Sequence, residues 1–144
     1  MADQPEDAPV YFNLIDLCKA PNATPEQVQE FVDLRVDVNA KDDRNLTAVL
    51  YAAEKNENPE IVKLLIKAGA NTEAEDGRGS TPIHHAAHLN DNPHVLEILI
   101  KAGANLNATN SSGTTPLDLA EWNKKTKHAE LLRAAGGKRS TDLP

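Results

Sequence analysis

The chain has 144 residues, 40% of them hydrophobic and 26% charged, with a formal net charge of −7. That length suits one folded unit with its own core, and the composition excludes wholesale disorder and a collagen-like chain. The acidic balance argues against a general binder of nucleic acid or of anionic membrane. No apolar run approaches the ~18 residues of a membrane span.

The start MADQPEDAP is acidic where a signal or transit peptide would be basic, so an intracellular, cytoplasmic setting is expected, with the nucleus also open. One cysteine, Cys18, allows neither an internal disulfide nor a multi-cysteine zinc site. The charge runs from −6 over residues 1–45, through −3 over 46–113, to +2 over 114–144.

Internal repetition organises the rest. Lys67-Ala68-Gly69-Ala70-Asn71 recurs as Lys101-Ala102-Gly103-Ala104-Asn105, 34 residues on. The same step relates Thr47, Thr81 and Thr115, and also Pro25, Pro59 and Pro93. A period of about 20–50 residues indicates stacked supersecondary units rather than a globule of unrelated parts.

In chain order, residues 1–10 are expected to form an acidic, flexible segment ahead of a first copy at 11–45. There Gln27 and Glu30 stand where the second copy has Ile61 and Leu64, which gives a terminal unit a wettable outer face. The second copy, 46–79, turns between its helices at Asn56-Glu57-Asn58. The third copy, 80–113, is the clearest. Thr81-Pro82 caps and opens a short helix, Ala86-Ala87 gives it a slim face, and Asn90-Asp91-Asn92-Pro93 is turn chemistry opening a second helix. Val95, Leu96, Ile98, Leu99 and Ile100 form that helix's apolar stripe, Gly103 ends it, and a polar loop through Gly113 leads on. The fourth copy, 114–137, is clipped, with Arg133 at a formerly aliphatic position, and residues 138–144 are expected to be a flexible tail.

Carried by Ser80-Thr81-Pro82-Ile83-His84-His85-Ala86-Ala87, by the two Leu-Ile-Lys-Ala-Gly-Ala-Asn runs, and by Asn39-Ala40 and Asn107-Ala108, the sequence resembles the ankyrin repeat family over residues 11–137. The resemblance implies an all-α fold, an ankyrin-repeat solenoid of four helix-turn-helix repeats joined by β-hairpin loops. Ala48 and Leu14 replace the helix-opening proline, Leu50, Asp16 and Asp118 replace the histidine, and Arg35 stands at a glycine position. The repeat is one residue longer than the family's ~33, and the inter-helix turn is the place for the extra residue.

Catalytic and metal chemistry find little support. His84 and His88, four apart on one helical face, have zinc-ligand spacing, yet no glutamate follows His84 as a metalloprotease motif requires. The resemblance gives His84 a hydrogen-bonding structural role; His85 and His88 then belong to an inner surface whose binding responds to pH. Cys18 aligns with Ala52, Ala86 and Ala120, a small-residue position between stacked helices. Gly77-Arg78-Gly79 lacks the lysine and spacing of a phosphate loop. The acid pairs Asp42-Asp43 and Glu75-Asp76 fit solvated loops better than acid–base catalysis. No metal, no cofactor and no enzymatic activity are expected.

Positions that vary between copies and neither cap nor pack are candidates for binding. They are Arg44, Leu46, Glu75, Arg78, Ser80, Ser111 and Ser112 in the loops, and Tyr51, Glu54, Lys55, His85, His88, Leu89, Trp122 and Asn123 on the first helices. The resemblance implies that hairpin tips and first helices line one concave face, which makes these positions a single strip with Tyr51 and Trp122 as anchors. The expected function is a non-catalytic module, monomeric when free, that binds a partner protein or peptide there. The alternative is an inhibitory or assembly subunit that blocks or holds one enzyme. Family members are also often hydroxylated on hairpin asparagines, and Asn39 and Asn107 match, each with a bulky apolar residue, Phe31 or Leu99, eight places earlier. Ordinary turn formation accounts for the same two asparagines.

Overall fold

Helix starts follow from capping chemistry repeated along the chain. The computed structural model describes residues 13–55 and 58–144, so the N-terminal segment, the first two residues of the first copy and Asn56-Glu57 lie outside the described residues. Among the described residues there are eight α-helices: α1 Leu14–Lys19, α2 Pro25–Asp33, α3 Ala48–Lys55, α4 Pro59–Lys67, α5 Pro82–His88, α6 Pro93–Lys101, α7 Pro116–Trp122 and α8 Thr126–Ala134. Proline opens α2, α4, α5, α6 and α7, where its missing N–H costs nothing. A side chain one residue earlier accepts from the first turn at Asn13, Thr24, Asn58, Asn92 and Thr115.

The first helices stack in the order α1, α3, α5, α7 and the second helices in the order α2, α4, α6, α8, each pair also packing internally. Slim residues make the first stack possible: Cys18, Ala52, Ala86 and Ala120 are all fully buried. Burial pushes the Cys18 thiol up to about 12, which leaves it unreactive. The second stack buries Val28, Ile61, Leu65, Leu96, Leu99 and Leu132.

One register differs from the constant 34-residue step. The α5–α6 turn spans 89–92, but the α7–α8 turn spans only 123–125, with Lys124 in the left-handed region at φ 55. The second helix of the last copy therefore starts 33 residues after α6, and Leu132, not Arg133, takes the buried place of Leu99. Arg133 is exposed and stands at the position of Ile100.

Loops between copies are closed by one backbone bond each, Asp42 N–H to Leu46 O at 2.9 Å, Asp76 N–H to Ser80 O at 2.9 Å and Asn110 N–H to Thr114 O at 3.2 Å. No strand occurs among the described residues, so these are hairpin-like turns without a ladder. The side chains of Asp42, Asp76 and Asn110 each accept two further backbone N–H groups inside the turn. Asp42 and Asp76 are thus turn caps, not the solvated acids their sequence context suggests.

Successive copies are also stitched edge to edge. Asn39 donates to Gly69 O at 3.0 Å and accepts from Asn71 N–H at 2.7 Å. Glu73 accepts from Asn105 N–H at 3.2 Å, and Asn107 accepts from Lys138 N–H at 2.8 Å. That last bond corrects the expectation of a loose C-terminal tail. Ser140 N–H reaches the Asp118 carboxylate at 3.2 Å, Arg139 pairs with Glu121, and residues Ser140–Asp142 form a 3-10 turn. The tail occupies the edge that a further copy would otherwise cover.

Candidate functional site

The face formed by the turn tips and the first helices is assembled by polar contacts that repeat with variations. At the second copy, Tyr51 on α3 donates its hydroxyl to Asp42 Oδ2 at 2.5 Å, and Lys19 lies over its ring with Nζ 5.1 Å from the centroid. One copy on, His85 on α5 occupies the same position and contacts Asp76 Oδ2 at 2.9 Å through Nε2. Its Nδ1 faces Glu54 Oε2 on α3 at 3.1 Å, so His85 ties a turn and two first helices together. In the last copy Leu119 takes this position.

Electrostatics follow from those contacts. Burial would raise the Asp76 carboxyl, but the N–H groups of Arg78 and Ser80, together with His85, outweigh it and hold the group below the ordinary carboxylate range. Asp42 is lowered in the same way, by Tyr51, Leu46 N–H and Arg44 N–H acting against burial. Tyr51 is pushed up to about 12, first by burial and then by its bond to Asp42. His88 is lowered by desolvation and by neighbouring His85.

Leu46 and Tyr51 do not belong to the exposed strip on which the sequence placed them. Both are in the core, 8% and 3% exposed. Leu46 packs inward from its turn, and Tyr51 is covered by Lys19 and anchored by Asp42, so neither presents a surface to a partner. Five of the expected residues, Arg78, Ser80, His85, His88 and Leu89, do converge. With Asp76, His84 and Leu119 they line one cleft of about 160 Å³ between the third turn, α5 and α7. Glu54 joins them through His85, and Ser111 through its hydroxyl, which donates to Arg78 O at 2.8 Å. Arg44, Lys55, Glu75, Ser112, Trp122 and Asn123 are exposed but do not line this cleft. Leu89 and Trp122 are 46% and 65% exposed, large apolar side chains on adjacent first-helix edges.

Sequence reasoning missed Asp76 and Leu119 as cleft residues. The recurrence of Asp42, Asp76 and Asn110 at 34-residue spacing was the available signal for the first of them. It also missed a buried bridge beneath the face. Asn90 donates to Ala53 O at 3.0 Å, and His128 Nε2 meets Asn90 O at 2.8 Å, which links three copies.

His84 is buried, with Nδ1 accepting from Thr81 N–H at 3.1 Å and Nε2 against Thr114 O at 2.9 Å in the next turn. Both ring nitrogens are thus engaged, and His84 is not free to pair with His88 around a metal. Asp118 repeats the bridge with its polarity reversed, accepting from Thr115 and Ser140 N–H groups. Among the described residues no group of three His, Cys, Asp or Glu is placed to hold a metal ion, and no helix is long and apolar enough to cross a membrane. Asn39 and Asn107 lie at the stitched edge, away from the cleft, with their side-chain amides engaged as described above.

A family model described as ankyrin repeats (3 copies) matches residues 14–110 and again 50–142. The chain belongs to the ankyrin-repeat family. Ankyrin repeats are in general modules of protein–protein interaction, and the family is typically non-catalytic. No curated protein matches this ankyrin-repeat chain.

Proposed function

We propose that this ankyrin-repeat protein is a non-catalytic binding module whose turn-tip and first-helix face holds a partner protein or peptide. The observation that carries the reading is the pair Leu89 and Trp122, exposed on neighbouring first helices beside a cleft whose polar groups are already fixed. Large apolar side chains next to preordered polar groups are the composition of a binding hot spot. Rigidity supports it: Asp42–Tyr51, Asp76–His85–Glu54 and the Asn90 bridge hold the face in place, so little side-chain entropy is lost when a partner docks. A role as an inhibitory or assembly subunit is one use of such a module, and no contact in the structure favours it over simple recruitment.

The test is affinity capture from a cell extract, with wild-type protein and the double variant Leu89→Asp/Trp122→Ala as parallel baits. Proteins held by the wild type should be lost from the double variant and kept by Lys101→Ala, a change on α6. Equal capture by the wild type and the double variant would move the interface off this face.

A further inference from the structure

Resting on that reading, we infer that the segment bound at this face is acidic and carries an apolar side chain: an Asp or Glu a few residues from a Leu, Phe or Trp. The chain as a whole is acidic, which at first sight favours a basic partner. The face does not follow the total. Its acids are consumed internally: Asp42 by Tyr51 and by the N–H groups of Arg44 and Leu46, Asp76 and Glu54 by His85. Its cations are not. Among the described residues, no ion pair engages the side chain of Lys41, Arg44, Lys55 or Arg78, all of them exposed, and only Asp43 and Glu75 stand free against them.

Distance decides which field a docked segment feels. Charges are screened over about 8–10 Å at physiological salt, so the excess acids of residues 1–45 have little hold on a group seated between the third and fourth copies. The last stretch, 114–144, has a balance of +2. At the cleft, Arg78 is the exposed cation on the wall, and Leu89 and Leu119 are the apolar side chains beside it. The volume of about 160 Å³ has room for a single side chain and none for an element of structure. Asp76, also on the wall, already has both oxygens engaged, one by the N–H groups of Arg78 and Ser80 and the other by His85. A guanidinium beside an apolar slot fits a carboxylate beside an apolar side chain.

The experiment is selection of a random-peptide display library on the whole protein, followed by titration of an enriched synthetic peptide using the fluorescence of Trp122, the chain's one tryptophan. Enriched sequences should place Asp or Glu near Leu, Phe or Trp. Arg78→Glu should weaken the peptide by roughly tenfold or more and Leu89→Asp comparably, while Lys101→Glu on α6 changes affinity by less than about twofold. Enrichment of basic or neutral peptides whose binding is lost in Leu89→Asp overturns the acidic assignment but leaves the face as the binding site. Peptides sensitive to Lys101→Glu and indifferent to Arg78→Glu and Leu89→Asp, or no enrichment at all, overturn both this inference and the binding-face reading beneath it.

Discussion

Tyr51 shows how a single side chain changes role once its neighbours are known. Its ring is buried and its hydroxyl serves a turn acid, so Tyr51→Phe should cost about 1 kcal/mol of stability, the net worth of one hydrogen bond, and leave partner affinity unchanged. Chemical denaturation of the two proteins, alongside partner titration, checks both halves. Titration at the residue scale sets the acid limit of the fold. Desolvation holds buried His84 and His128 below the ordinary 6.5, so the unfolded chain takes up protons first and stability declines as pH falls below about 6.5. The lowered carboxyls of Asp42, Asp76 and Asp118 add stability that is complete above 3.8 and is lost as pH falls through their folded values. Melting temperature against pH should show both declines, and His128→Gln should flatten the upper one; an unchanged slope in that variant would remove His128 from the account. Hydroxylation of the edge asparagines is a further proposal at this scale. Asn39 is held through both its amide oxygen and its amide nitrogen, Asn107 by one bond to the tail, so an asparaginyl oxygenase should add an oxygen atom to Asn107 before Asn39 in a time course followed by mass spectrometry.

Helices and turns repeat the same lesson one level up. Leu132 is fully buried on α8 and Arg133 beside it is exposed and paired with Glu121, so Leu132→Ala should cost about 2–5 kcal/mol and Arg133→Ala less than about 1 kcal/mol. Comparable melting of the two variants would mean that α8 is rotated from the arrangement described. Helix pairs, their order and the small-residue seam were legible in the sequence because capping residues and apolar spacing recur copy by copy, Pro25, Pro59 and Pro93 above all. The register of α8 was not, since a shortened turn at 123–125 leaves no mark on a period counted from the earlier copies. The binding strip was legible only in part. Variation between copies marks positions that face a copy-specific neighbour as well as positions that face a partner, and Tyr51, which faces Asp42 and Lys19, is of the first kind. The cleft residues Asp76 and Leu119 escaped because one caps a turn and the other is an unremarkable aliphatic, and only the stacking of α5 on α7 brings them together.

At the scale of the whole molecule, each copy leans on the next and the last leans on its own tail. Deleting residues 138–144 removes the N–H groups that Asn107 and Asp118 accept and the Arg139 partner of Glu121. Melting should then begin at the C-terminal pair, α7 and α8, with hydrogen exchange rising there before it rises in α3 and α4. The same stack fixes where a partner can sit, because the turn tips and first helices form one surface and the second helices another. Hydrogen–deuterium exchange of the protein with and without a captured partner tests this division most directly. The account predicts slowed exchange in the turns at 76–80 and 110–114 and at the ends of α5 and α7, with α4 and α6 unchanged; protection confined to α4 and α6 would contradict it.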